Sequence, residues 1–117
     1  VCTHNGKNIH KIDPITLAKT SQDAGSGEII LNSVDRDGGM KGYDIALAQQ
    51  LRGALRVPMT VLGGAGSLDD IGVLIHTCGV IGAAVGSLFV FKGKYRAVLI
   101  NYPTMAQKDE IFRAALV

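Results

Sequence analysis

Residues 28–44, EIILNSVDRDGGMKGYD, decide the fold. Ile29, Ile30 and Leu31 are apolar on successive positions, the mark of a strand covered on both faces. The polarity then changes abruptly. Asn32 and Ser33 lead into Asp35, Arg36 and Asp37, and Gly38, Gly39 and Gly42 come soon after, so this part reads as a loop. Asp44 stands where an N-cap belongs, because Ile45, Leu47, Ala48, Leu51 and Leu55 after it share one helix face. The stretch is therefore a strand, a loop and a helix start.

The same unit recurs downstream. PMTVLGG (58–64) reads as a second strand, and Leu68, Ile71, Leu74, Ile75 and Cys78 as the next helix face. Ser67 and Asp70 have capping-box spacing, although Asp is a weaker partner there than Glu. VIGAAVGS (80–87) reads as a third strand. Upstream, Asp13-Pro14 predicts a helix start, and Gly25 and Gly79 sit where helices should end. Strands that alternate with helices imply a parallel sheet with right-handed crossovers, an α/β fold. The tail is less regular. KYRAVLINYP reads as a further extended piece, and MAQKDEIFRAALV as a last helix with Ile111, Phe112, Ala115 and Leu116 on one face.

Composition excludes several function classes. The 117 residues suit one domain, and 47% hydrophobic content is ample for a core. A formal net charge of +2, with both signs dispersed, argues against nucleic acid and anionic membranes as partners. The longest apolar run, CGVIGAAVGSLFVF (78–91), is shorter than the ~20 residues of a spanning helix and is broken by glycines. Cys2 and Cys78 have no CxxC or His-rich context, which predicts reduced thiols in a cytoplasmic protein and no metal site. No signal-peptide layout is present, and the start at Val1 leaves room for residues upstream.

In parallel α/β folds, ligands lie at the C-terminal ends of strands. Three polar clusters fall there: Asn32, Ser33, Asp37 and Gly38; then Gly63 and Gly64; then Gly86 and Ser87. Glycines allow a phosphate close to backbone N–H groups, and helix starts add aligned donors. The same glycines also suit tight turns, and spacing fits both readings. Gly63-Gly64-Ala65-Gly66 is neither a P-loop nor GxGxxG. No nucleophile–histidine–acid set exists. Asp37 is the single candidate for handling a ligand hydroxyl or water, and Asp35–Asp37 equally make a solvated turn. His4 and His76 read as surface groups.

Taken together, GSGEIILNSVDRDGGMKGYD, VPMTVLGGAGSLDDI and GVIGAAVGSLFVF, in this order and spacing, resemble the C-terminal half of the cyclase subunit of imidazole glycerol phosphate synthase, the HisF family. The resemblance covers residues 1–92, and THNGK (3–7) is similar to the segment after that barrel's fifth strand. FKGKYRAVLINYP looks more like a branch of the family from surface-polysaccharide clusters, which works with a glutaminase and a sugar amidotransferase. The DRDG segment is shared with related sugar-phosphate barrels, such as the isomerase one step earlier in histidine synthesis.

The resemblance implies a (β/α)8 barrel and a lyase reaction that uses ammonia from a glutaminase partner. The ligand it implies is phosphorylated, and no cofactor is expected. It implies a phosphate site at Asp37, Gly38, Gly63, Gly64, Gly86 and Ser87, with Asn32 and Ser33 lining the ligand. Leu62 replaces a serine usual in the histidine pathway. The family's acid–base aspartates, on its first and fifth strands, fall outside residues 1–117. A full barrel takes ~250 residues. The expectation is thus one half-barrel domain over residues 1–117, with a short N-terminal element (1–12) and a C-terminal extension and helix (93–117). It is expected to bind phosphate without family turnover by itself, and to close a barrel as a homo-oligomer. Two alternatives stand beside it: a fragment of an intact cyclase or amidotransferase-linked synthase, and a non-enzymatic assembly module.

Overall fold

The computed structural model describes residues 1–116. The chain opens on a small hairpin. Strand β1 (Cys2–Thr3) pairs antiparallel with β2 (Asn8–Ile9). Helix α1 (Pro14–Asp23) comes next, and the Asp13 carboxylate accepts the Thr16 N–H at 2.8 Å. The main body then alternates: β3 (Ile29–Asn32), α2 (Ile45–Ala54), β4 (Met59–Leu62), α3 (Leu68–Cys78) and β5 (Gly82–Ala83). A one-turn helix α4 (Ser87–Val90), a hairpin of β6 (Phe91–Lys92) and β7 (Ala97–Val98), and helix α5 (Met105–Leu116) complete it.

β3, β4 and β5 form one parallel sheet in the order β3-β4-β5, with Ile29 opposite Met59 and Thr60 opposite Gly82. These are consecutive βα units with parallel strands, as the alternating pattern predicted, and they are consistent with the half-barrel that the resemblance implied. The strands are shorter than the apolar runs that announce them. β4 stops at Leu62 because Gly63 and Gly64 turn the backbone to φ of 96° and 110°. β5 is two residues long and, among the described residues, has a neighbour on one side only.

The core lies on the helical side of the sheet. Met59 and Val61 alternate into it and meet Ala48 and Leu51 of α2 and Ile71 and Leu74 of α3, all buried. The other face, which lines a barrel's interior, carries Ile30, Asn32, Thr60 and Leu62. Ile30 is 64% exposed there, an unusual position for an isoleucine in mid-strand.

The tail matches its expectation in part. Only Ala97–Val98 of KYRAVLINYP pairs as a strand. Lys94, Tyr95 and Arg96 form the turn before it, and the stretch from Leu99 runs back along α4, with the Leu99 N–H on the Val90 carbonyl at 2.9 Å and the Asn101 N–H on that of Phe89 at 2.8 Å. Phe89 and Tyr102 stack edge to face, 5.2 Å between centroids. α5 forms and packs on α3, with Ile111 lying against Gly72 and His76 Nδ1 lying 3.2 Å from the Ala115 carbonyl. Phe112 is about half exposed, and Leu116 of the same expected face lies outside the described side chains.

Candidate functional site

The loop after β3 is a wound structure with its own hydrogen bonds. The Ser33 carbonyl accepts the N–H groups of Arg36 at 3.1 Å and Asp37 at 2.9 Å, and the Arg36 carbonyl accepts that of Gly39 at 2.9 Å. Gly38, Met40 and Gly42 all take positive φ, which bends the chain back over the sheet edge. Asp44 then caps α2 by accepting the Leu47 N–H at 3.1 Å.

The loop after β4 lies against it. The Gly42 N–H donates to the Gly64 carbonyl at 2.8 Å, and the Ser33 N–H to that of Leu62 at 3.1 Å. A Cβ on Gly64 would collide with the Gly42 carbonyl, one on Gly66 with that of Met40, and one on Gly63 would come 2.7 Å from the Ser33 oxygen. These glycines therefore admit the neighbouring loop. The donors at the start of α3 are partly spoken for. The Asp70 carboxylate accepts the N–H groups of Gly66 at 2.9 Å and Ser67 at 3.0 Å, while the Ser67 hydroxyl accepts that of Asp70 at 3.2 Å. The N–H groups of buried Gly64 and Ala65 have no acceptor among the described residues. Buried backbone donors left so are rare.

The third loop is different in kind. Gly86 has φ −110°, and a Cβ added there meets nothing within 4 Å. Ser87 opens α4 without a side-chain cap. The N–H groups of exposed Gly86 and half-buried Ser87 also have no acceptor among the described residues, though these are open to solvent.

Asn32, Ser33, Asp37, Gly38, Gly63, Gly64, Gly86 and Ser87 thus share the C-terminal edge of one sheet. The Asn32–Gly42 loop and the Gly63–Gly66 loop touch directly. The third is tied in by a residue that sequence reading passed over. Tyr43, 3% exposed, donates its hydroxyl to the Ala84 carbonyl at 2.9 Å across the sheet edge. Burial, with the Asp70 charge behind it, pushes that phenol up to about 12. A signal existed: Tyr43 is the only Phe, Trp or Tyr before Phe89.

Asp35, Arg36 and Asp37 are exposed, and Arg36 reaches back to the Gly42 carbonyl at 3.4 Å. Among the described residues, no group of three or more His, Cys, Asp or Glu side chains is placed to hold a metal ion, and no helix is long and apolar enough to cross a membrane. Cys2 and Cys78 are both free thiols, and burial pushes Cys78 upward, against the weaker pull of Arg52.

The family model described as "Histidine biosynthesis protein" matches residues 1–96. The chain is 51% identical, over 112 residues, to the "Putative imidazole glycerol phosphate synthase subunit HisF" of Leptospira interrogans, covering 96% of this chain and 44% of that protein. It is 51% identical over 108 residues to the "Putative imidazole glycerol phosphate synthase subunit hisF3" of Vibrio vulnificus, covering 92% of this chain and 42% of the relative. Against the "Imidazole glycerol phosphate synthase subunit HisF" of Limosilactobacillus fermentum the identity is 38% over 92 residues, 79% of this chain and 35% of that one. The chain therefore spans less than half the length of the curated relatives it matches.

Proposed function

Since this chain belongs to the histidine biosynthesis protein family, as a segment of the HisF type, we propose that it supplies the phosphate-binding rim of a cyclase-type (β/α)8 barrel. The observation that carries this is the set of unbonded backbone donors at Gly64, Ala65, Gly86 and Ser87, gathered on one sheet edge. An anion satisfies several such donors at once, with charge-assisted hydrogen bonds stronger than neutral ones. Gly38 closes the rim from the first loop, and Asp37 holds a ligand hydroxyl or a water. Asn32 and Ser33 line the ligand.

The acid–base step is not assigned to these residues. The rim anchors a phosphorylated substrate, while the proton chemistry and the ammonia, delivered by a glutaminase, come from outside the segment. The exposed Ile30 face and the two open sheet edges are covered by the remaining barrel strands. For the 117 residues alone, that cover is a second copy.

A second reading, in which the glycines serve only loop packing, is favoured at Gly63, Gly64 and Gly66, where an added Cβ meets the backbone of the adjacent loop. It has no support at Gly86, whose added Cβ meets open space. The test belongs at the third loop. Ser87→Asp places a carboxylate at the start of α4, a position that suits the helix and repels a phosphate. Calorimetric titration with inorganic phosphate is expected to show binding to the wild type and at least about tenfold weaker binding to Ser87→Asp. Equal affinity in both would remove phosphate from the third loop.

A further inference from the structure

The β6–β7 hairpin returns to the rim. Its turn is closed by the Arg96 N–H on the Gly93 carbonyl at 3.0 Å. Arg96 holds φ 50°, a backbone conformation that L-residues other than Asn and Asp rarely adopt. Its side chain passes over Phe91, with the guanidinium carbon 5.1 Å from the ring centroid. Nη2 then donates to the Gly38 carbonyl at 3.0 Å and lies 3.6 Å from Met40 Sδ, 58 and 56 residues away in sequence. An arginine of the C-terminal extension is thereby held on the loop after the first strand of the sheet.

Both contacts use Nη2. The Nε hydrogen and the two on Nη1 have no acceptor among the described residues. The one ion pair among the described residues joins Arg56 and Asp23, so no carboxylate there lies within 4.0 Å of the Arg96 guanidinium. A cation with free donors thus stands at Gly38, beside a rim whose other members are neutral N–H groups, a hydroxyl and the Asp37 carboxylate. The family model ends at residue 96, within this hairpin, whereas the matches to the Leptospira and Vibrio relatives cover 96% and 92% of the chain. The β7 strand that holds Arg96 in place lies beyond the reach of the family model.

We propose that Arg96 is a specificity-determining ligand residue, whose free guanidinium edge binds an oxygen of the phosphate held between the Gly38, Gly64 and Gly86 loops. This rests on the phosphate-rim reading above and adds to it a charge. Guanidinium supplies a planar set of donors that match phosphate oxygens, and it favours a dianionic monoester over a singly charged diester. The hairpin is then a specificity element of this chain.

The test titrates the full chain with inorganic phosphate at low and high sodium chloride, using wild type, Ser87→Asp, Arg96→Met and Arg96→Lys, with thermal unfolding of each. Arg96→Met is expected to weaken phosphate about tenfold at low salt and less at high salt, because the lost attraction is one that salt screens. Arg96→Lys keeps the charge and is expected to fall between. If Ser87→Asp loses phosphate and Arg96→Met does not, the rim stands and the role of Arg96 is overturned. If Arg96→Met weakens phosphate equally at both salts and also lowers the unfolding temperature, Arg96 is only an anchor for the hairpin, and the proposal fails. If the wild type binds no phosphate, the rim itself falls and takes this role with it.

Discussion

Tyr43 shows how a single side chain can fasten the first loop to the third. Its ring fills the core beneath the loop after β3, and its hydroxyl reaches the Ala84 carbonyl at the end of the third strand. Tyr43→Phe removes that hydrogen bond and leaves the packing. It is expected to cost about 1 kcal/mol in urea unfolding at pH 7. Burial of the phenol, with the Asp70 charge behind it, also gives Tyr43 a pH signature. The folded phenol titrates at about 12 and the unfolded one near its ordinary value of 10.0. The folded pKa is the higher, so this contribution is complete below pH 10 and is lost as pH rises towards 12. The urea midpoint of the wild type should therefore fall to that of Tyr43→Phe and then below it over that window, since Phe has nothing to ionise. A constant gap up to pH 12 would mean that the phenol ionises freely in the folded chain.

At the scale of elements, the loops matter more than the strands before them. Gly64 and Gly86 looked alike in sequence, each at the end of an apolar run before a helix. The structure separates them. Gly64 has φ 110° and faces the Gly42 carbonyl, while Gly86 has negative φ and open surroundings. Gly64→Ala is accordingly expected to destabilise by about 2 kcal/mol or more, and Gly86→Ala by less than about 1 kcal/mol. Chemical denaturation of the two variants checks this, and equal losses would contradict the loop contact. The helix starts were the most legible part of the chain. Asp13, Asp44 and Ser67 all cap as their positions suggested, because a cap is a bond to a residue three positions on. The second use of Asp70, taking the Gly66 and Ser67 donors that an anion would otherwise meet, was less visible, since it depends on the path of the loop before the helix.

For the molecule as a whole, the sheet has one finished face and one bare one. The helical face holds Val61 and Leu74 at zero exposure, while Ile30 points from the other side into solvent. Association that covers this face is expected for the 117 residues alone. Ile30→Glu should shift the population towards monomer without unfolding the helical layer. Light scattering after size exclusion, paired with circular dichroism, reads both effects. A wild-type monomer at tens of micromolar would count against the paired half-barrel.

The order of strands and helices from α1 to β5, the caps between them and the sheet edge on which the polar clusters fall were determined by the sequence alone, whereas the two antiparallel hairpins were not. Each rests on hydrophobic periodicity or on bonds spanning three or four residues, so the information is local. Only the tertiary structure decided what the glycines touch, that Tyr43 ties the first loop to the third strand, and that Arg96 comes to rest on Gly38. The Tyr43 and Arg96 contacts join residues 41 and 58 positions apart. Their partners are chosen by how the sheet packs and where the hairpin returns, and no local pattern of residue types encodes that choice.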